Sequence, residues 1–454
     1  EAIGSDDGTE RTSRDQGVLD NRMVEHIAET IYEKFDTRYG GWGDKSKFFH
    51  CQAIDFAMVR AAKHQDGRMR EIVTTTLNRV HQSALHDPID GGFFRYSHTV
   101  DWQTPNYEKT LETNSQRLLC YLEAYQLFGN DSYRSTAEGI VGWMLNFMLD
   151  TETGAFFGSQ DAQIDYYQTD PEMRAGTAPP SLDQTIYTSW NAVAVSSLLK
   201  ASLVLDRPEL RDCAMRVLRF LLEHLFDGQG TAYHYWDGTY HLPGMLSDQA
   251  YLIGALIDAS QHTGNADLLL PAEAIAERVF EQQRAPGGGF FDILHDHGYQ
   301  ASGGHRNRSI LDNAVMAEAL VRLSHLSRRN ELSDEAVMTL ESFADDYKEY
   351  GYYVAGYGRA IDLIFYPPLT ITIIGDRDGE AADNLRRAAL SCYVPSRIVQ
   401  MLDPKHDPIL IERSGHRIEE TPVAYLSIAE TTKATARSTD ELVEKMTEVE
   451  QLRR

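Results

Sequence analysis

The 454-residue chain has only four cysteines, Cys51, Cys120, Cys213 and Cys392, and no CxxC pair. So widely scattered, they indicate neither a disulfide framework nor a zinc site. Three fall in apolar helical patterns, as small core residues do. No apolar run approaches the ~20 residues of a membrane span, and no secretory leader is recognisable, so a cytoplasmic protein is expected. Basic residues are also scarce: 43 Lys and Arg stand against 68 Asp and Glu, for a formal charge of −25. Nucleic acids and anionic membranes both require a positive face, and neither is an expected partner. GxGxxG, Walker, GxSxG and HExxH motifs are missing. Nothing calls for a nucleotide, flavin or metal cofactor; the HDH string at 295–297 has no second ligand cluster.

What the sequence has is helical periodicity. Residues 1–19 are polar and read as a disordered leader. Beyond them, capping and apolar spacing predict twelve helices at about 20–36, 50–65, 68–86, 107–128, 131–149, 188–206, 208–226, 245–263, 268–284, 310–329, 332–350 and 353–365. Links after the even-numbered helices are short turns. Those after the odd ones are mostly long and carry a Gly-aromatic signature: GGW (40–42), GGFF (91–94), GAFF (154–157), GTAYHYW (230–236) and GGGFF (287–291). Six such hairpins predict a mainly α fold, an (α/α)6 toroid over 20–366. The even helices are apolar nearly all round and belong inside. All long loops then share the end where inner helices begin, which offers unpaired backbone N–H groups and partial positive charge. After Pro367-Pro368 the pattern changes to strands at 369–375, 397–402, 408–412 and 422–428 with helices at 379–392 and 438–449. Residues 367–454 are therefore expected to form a small α/β appendix that seals the last hairpin.

The most distinctive stretch is Asp87 to Asn114, DPIDGGFFRYSHTVDWQTPNYEKTLETN. Its Gly-Gly turn and alternating aromatics predict a short hairpin ending at Pro105. With GGWGDKSKF (40–48), GAFFGSQDA (154–162), TSWNAVAV (188–195), SDQAYLIGALID (247–258) and RNRSILDNAV (306–315), it resembles the thioredoxin-domain-containing proteins of the YyaL and spermatogenesis-associated type. The blocks run in order over nearly the whole chain. The resemblance implies a six-hairpin, glycosidase-like toroid, usually preceded by a thioredoxin-like domain that is not expected within these 454 residues. Phe94 and Asn106 stand where that family usually has histidine, so the resemblance carries no histidine mechanism with it.

Several residues are equipped for chemistry. Glu108, Asp248 and Asp312 sit at predicted starts of inner helices, and Asp161 precedes another. Carboxylates converging on an aromatic pocket suit glycoside chemistry, one as acid and another as base or nucleophile, although the same positions favour carboxylates as helix caps. His98, His234, His241, His295, His297 and His305 lie in pocket-side loops. Toroidal sugar epimerases, a second family that the architecture resembles, use paired histidines to move a proton beside a carbonyl. Arg95, Arg306, Arg308, Lys47 and Lys109 would form a positive floor able to grip hydroxyls or anions, unless they pair with Glu108, Asp161 or Asp312. Tyr96, Trp102 and Trp190 are placed to stack on a sugar face, with Asn191 beside them. The expected function is a carbohydrate-active enzyme, a glycoside hydrolase or a sugar isomerase or epimerase, with Glu108 and Asp248 leading. The alternative is a non-catalytic toroid that binds a ligand or partner alongside a thioredoxin-like protein.

Overall fold

Short polar side chains set where the helices begin. Asp66, Thr110, Asn130 and Ser309 each accept a backbone N–H from the first turn that follows, the role for which these residue types are favoured. Several helices end on a residue with left-handed backbone, Gly129 and Gly264 among them, where glycine carries no steric penalty. The computed structural model describes residues 17–294 and 306–453. Its twelve principal helices are α1 (Asn21–Glu33), α2 (Cys51–His64), α3 (Gly67–His81), α4 (Leu111–Phe128), α5 (Asp131–Trp143), α6 (Thr188–Val204), α7 (Pro208–His224), α8 (Leu246–Thr263), α9 (Leu269–Gln282), α10 (Ile310–Ser327), α11 (Asn330–Glu341) and α12 (Ala355–Phe365).

The even helices form the inner ring. Each packs on the next, and α12 returns to α2, so the ring closes. Outside it, α3, α5, α7, α9 and α11 each pack on the inner helix before them, and α1 covers α12. Burial follows this division. In α8 the buried residues run almost without interruption, whereas in α7 they make one stripe through Leu210, Ala214, Val217 and Leu221. The fold is the expected (α/α)6 toroid, with its long loops at the N-terminal ends of the inner helices.

Local departures have local causes. Helix α4 begins at Leu111 rather than near 107, because Lys109–Thr110 is a short strand paired with Ser159–Gln160 of the next loop. The aromatic run after Gly92 folds back on itself as expected: Ser97 bridges Pro105 antiparallel, the His98 N–H donates to the Thr104 carbonyl and the Asn106 N–H to the Tyr96 carbonyl, each at 2.8 Å. Tyr96–Ser97 also pairs with Lys47–Phe48 and stitches two successive loops together. The leader expectation for residues 1–16 lies outside the described residues, and Leu19 is already buried in the core.

The C-terminal part carries a four-stranded sheet of β1 (Leu369–Ile374), β2 (Arg397–Leu402), β3 (Val423–Ile428) and β4 (Thr431–Ala436), ordered β2-β1-β3-β4 with β1 and β2 parallel. Helices α13 (Glu380–Ser391) and α15 (Thr439–Arg453) cover it. The strand expected at 408–412 is instead helix α14 (Pro408–Ser414). Pro408 suits the first helical position and Gly415 the left-handed end. This sheet lies over the ring's short-loop end. Val399 N–H donates to Gln261, and the Gln400 side chain donates to the Leu326 carbonyl. Among the described residues, no helix is long and apolar enough to cross a membrane.

Candidate functional site

The loop face is built from a repeated staple. The fourth residue of an inner helix grips the backbone of the residue after the loop's glycine turn. Asn114 accepts the Phe93 N–H at 2.7 Å and donates to its carbonyl at 2.9 Å. Asn191 does the same with Phe156 at 2.9 and 3.0 Å, and Asn313 with Phe290 at 2.7 and 2.9 Å. In α8 a glutamine takes the place, Gln249 holding Ala232 at 3.1 and 3.0 Å. These bonds satisfy buried peptide groups that have no other partner layer. The turn itself needs glycine: Gly91 has φ +80°, and a Cβ there would stand 2.2 Å from the Gly139 carbonyl oxygen. A second anchor repeats in the first two loops. Fully buried Lys47 bonds Asp36 and the Gly40 carbonyl; fully buried Lys109 bonds Asp87 at 2.7 Å and the Gly91 carbonyl at 2.8 Å.

One pair at the mouth is arranged differently. Asp248, the third residue of α8, is fully buried. Its Oδ1 accepts the Ser189 N–H of the neighbouring helix α6 at 3.0 Å, and its Oδ2 meets His234 Nδ1 at 2.8 Å. Among the described residues, His234 Nε2 has no hydrogen-bond partner. Burial alone would weaken the imidazole's hold on a proton. The hydrogen bond and charge of Asp248 outweigh it, so the His234 pKa lies above its ordinary value. Tyr187 stands 5.7 Å from the His234 ring and 4.5 Å from Trp190. Across the ring, burial pushes the carboxyls of Glu112 and Asp312 upward, against Arg95 in the first case and the Ser309 hydroxyl in the second. Both bear on Tyr251, whose phenol burial drives far above its usual range.

Below Tyr251 the ring encloses a cavity of about 370 Å³. The thirteenth residue of each of four successive inner helices faces it: Glu123, Lys200, Asp258 and Arg322. They alternate in sign and pair as Glu123–Lys200 and Asp258–Arg322. Asp55 lies 3.4 Å from Arg359. Burial, reinforced by Glu123 and Glu318, pushes the Asp55 carboxyl up to about 7 despite Arg359. Its side chain is nevertheless 37% exposed, and the surface it exposes belongs to the cavity. Residues from 390 to 398, Tyr393 among them, close the far end. Cys51, Cys120 and Cys392, distant in sequence, all line this space. The contact of Cys120 with Cys51, together with burial, holds the Cys120 thiol well above its ordinary value. Among the described residues, no group of three His, Cys, Asp or Glu is placed to hold a metal ion.

The residues singled out from the sequence are not all brought together. Asp248, Trp190 and Asp312 stand at the mouth. Glu108 pairs with Arg95 at 2.9 Å on the rim, half-exposed, near Tyr96, which stacks on Phe48 at 4.7 Å and meets His98 at 5.0 Å. Lys109 and Asn191 serve as wall anchors. Trp102 is buried, with Nε1 donating to the Tyr39 carbonyl. Asp161 is exposed and accepts the Ala162 N–H. Arg306 lies 4.0 Å over Phe291 and Arg308 4.8 Å over Phe343, so the five cations form no common floor. His295, His297 and His305 lie outside the described residues. Sequence reasoning passed over Glu112, Tyr251, Asp55 and Arg359. The thirteenth-residue charge alternation was the signal available for the belt they adjoin.

No protein-family model matches the chain. Its homologues include human (Homo sapiens) spermatogenesis-associated protein 20, of a thioredoxin-domain-containing family, 22% identical over an alignment of 530 positions, gaps included, that takes in 90% of this chain. The chain spans 66% of that relative's length. Among solved structures it is similar to a sugar epimerase from a ruminal bacterium, with a TM-score of 0.61, 11% identity and coverage of 76% of this chain and 99% of that one. It is also similar to the unsaturated glucuronyl hydrolase of Bacillus sp. GL1, with a TM-score of 0.55, 15% identity and coverage of 76% and 97%. At such identities these likenesses establish the toroid and leave chemistry to the site.

Proposed function

We propose that this homologue of the spermatogenesis-associated, thioredoxin-domain-containing proteins is a carbohydrate-active enzyme that moves a proton on a sugar bound at the loop-side mouth of its toroid. The His234–Asp248 pair carries this reading. With Nδ1–H directed at Asp248, the neutral ring keeps its basic lone pair on Nε2, the nitrogen without a protein partner. Such a pair both orients the imidazole and strengthens it as a base near neutral pH. An open-chain sugar offers an acidic C–H beside its carbonyl for that base to take. Asp312 and Glu112, held toward their protonated forms by burial, are the groups to return a proton or bond the carbonyl oxygen. Tyr187 and Trp190 offer ring faces to the sugar. The printed names of the structural neighbours, sugar epimerase among them, support this choice of substrate class.

The test is proton exchange. Sugars incubated with the protein in D2O and followed by NMR are expected to take up deuterium beside the carbonyl. His234→Asn should slow this by about 100-fold or more with little change in unfolding temperature. Exchange that persists in His234→Asn would reject the pair as the catalyst. A hydrolytic reading is favoured by the raised Asp312 and Glu112 carboxyls, because a glycosidase needs a protonated acid; the same spectra would then show a cleaved glycosidic bond and no exchange. We extend the proposal to a thioredoxin-like partner, supported by the likeness to that family, and co-elution with a thioredoxin-like protein tests it.

A further inference from the structure

We infer that the cavity at the closed end of the ring is a second binding site, for a neutral polyhydroxylated molecule of sugar size, anchored on Arg359 and kept open by Gly254. It goes beyond the His234 reading, since His234 does not line this cavity.

Three observations carry the inference. The first is space that is held open. Gly254 lies in the interior of α8 and lines the cavity, and a Cβ added there would meet nothing within 4 Å. Glycine weakens a helix interior relative to alanine, and packing gives no reason for it here. A volume of about 370 Å³ also falls in the range of small-molecule sites. The second is an unanswered guanidinium. Arg359 is over nine-tenths buried, and its Nε and Nη1 have no hydrogen-bond acceptor. Its carboxylate neighbours stand at 3.4 and 3.7 Å, beyond good hydrogen bonds. Glu318, also facing the cavity, makes no hydrogen bond among the described residues and as a carboxylate only accepts. A hydroxyl accepts from a guanidinium and donates to a carboxylate, so a polyol answers both needs.

The third is charge. The carboxylates lining the cavity are Asp55, Glu123, Asp258 and Glu318. Against them stand Lys200, Arg322, Arg359 and Arg397, so formal charges cancel once Asp55 is ionised, and the titrations are run at pH 8. An ion of either sign gains no net field, while a neutral molecule with many hydroxyls meets donors and acceptors on every side. Ligands of this kind enter polar pockets by satisfying groups that would otherwise stay unpaired.

Saturation-transfer NMR and calorimetric titration with D-mannose, cellobiose and the anion D-glucuronate test the inference. A neutral sugar is expected to bind the wild type and His234→Asn with similar Kd, and D-glucuronate more weakly. Gly254→Leu fills the cavity from a position with room for it. It should retain or raise the unfolding temperature and weaken binding at least tenfold. Glu318→Gln, nearly isosteric, should also weaken the neutral sugar and shift preference toward D-glucuronate; this second variant decides the matter if Gly254→Leu does not fold. Calorimetric stoichiometry counts the sites: a second bound sugar that is lost in both variants and kept in His234→Asn supports the inference, whereas a stoichiometry unchanged in both variants, or a single site that vanishes in His234→Asn, would place the ligand at the mouth and overturn it. So would failure of every neutral sugar to bind. Loss of deuterium exchange in His234→Asn with binding intact separates the two sites.

Discussion

Asn191 offers the sharpest separation of wall from site, because the sequence marked it as a ligand contact and the structure uses it as a staple. Its amide accepts the Phe156 N–H at 2.9 Å and donates to the Phe156 and Tyr187 carbonyls, each at 3.0 Å. Phe156 is fully buried, so water cannot replace these partners. A hydrogen bond contributes about 1 kcal/mol net, and a buried donor left unmade costs about 1–3 kcal/mol. Asn191→Ala should therefore cost about 3–4 kcal/mol. With an unfolding entropy of about 2.1 cal/mol/K per residue, that is a fall of roughly 3–4 °C if the whole 454-residue chain melts as one unit. Asn191→Asp should cost at least as much, since it keeps the acceptor and turns a charge toward two carbonyl oxygens. Urea unfolding followed by circular dichroism, run beside a sugar titration, checks both. Asn114→Ala and Asn313→Ala should behave alike, because each makes the same bonds in its own hairpin. If Asn191→Ala unfolds at the wild-type midpoint yet loses sugar binding, the staple account is wrong.

Other outcomes follow from the same contacts. Gly91→Ala should destabilise by about 3 kcal/mol or more, having both a left-handed φ and a backbone clash. Gly129→Ala, with φ +67° and nothing within 4 Å, should cost only about 1 kcal/mol; chemical denaturation distinguishes them. Lys109→Met leaves the buried Asp87 with Arg174 alone and should cost about 3–5 kcal/mol by the same measurement. Burial drives His50, His86 and His325 to about 4, from an ordinary 6.5. The folded state then binds fewer protons than the unfolded one in this window. The stability this gives is complete above pH 6.5 and is lost as pH falls toward 4, as melting scans across that range should show. Asp55 acts in the opposite sense. Its carboxyl is raised from 3.8 to about 7, so its penalty grows as pH rises through that interval, and Asp55→Asn should raise the melting temperature at pH 8 but not at pH 4.

The toroid was legible because it is written in periodicity. Leu118, Leu122 and the nearly unbroken apolar faces of α6 and α8 disclose which helices lie inside, and Gly129 and Gly264 mark where they turn. The candidate site was less legible, because position within a helix decides function there. Asp248 and Asp312 are both third residues, yet one is drawn sideways to Ser189 and His234 while the other stands over Tyr251. Glu108 looked like the head of a helix, but strand pairing of Lys109 with Gln160 moved the helix start beyond it. His234 and Asp248 are fourteen residues apart on a hairpin strand and a helix, a spacing that no local motif records. Arg359 and Asp55 meet only because α12 returns to α2. Distances of that kind exist only once the circle is drawn.

That α1 covers α12 and α12 rests on α2 has a dynamic consequence. An open stack of hairpins has two outermost units, each with one bare flank, and those peel away first. Here every inner helix is flanked on both sides, so there is no ragged edge from which unzipping can start. Amide exchange at the middle of α2 and α12 should then be as slow as at α6 and α8, at opposite poles of the chain's order.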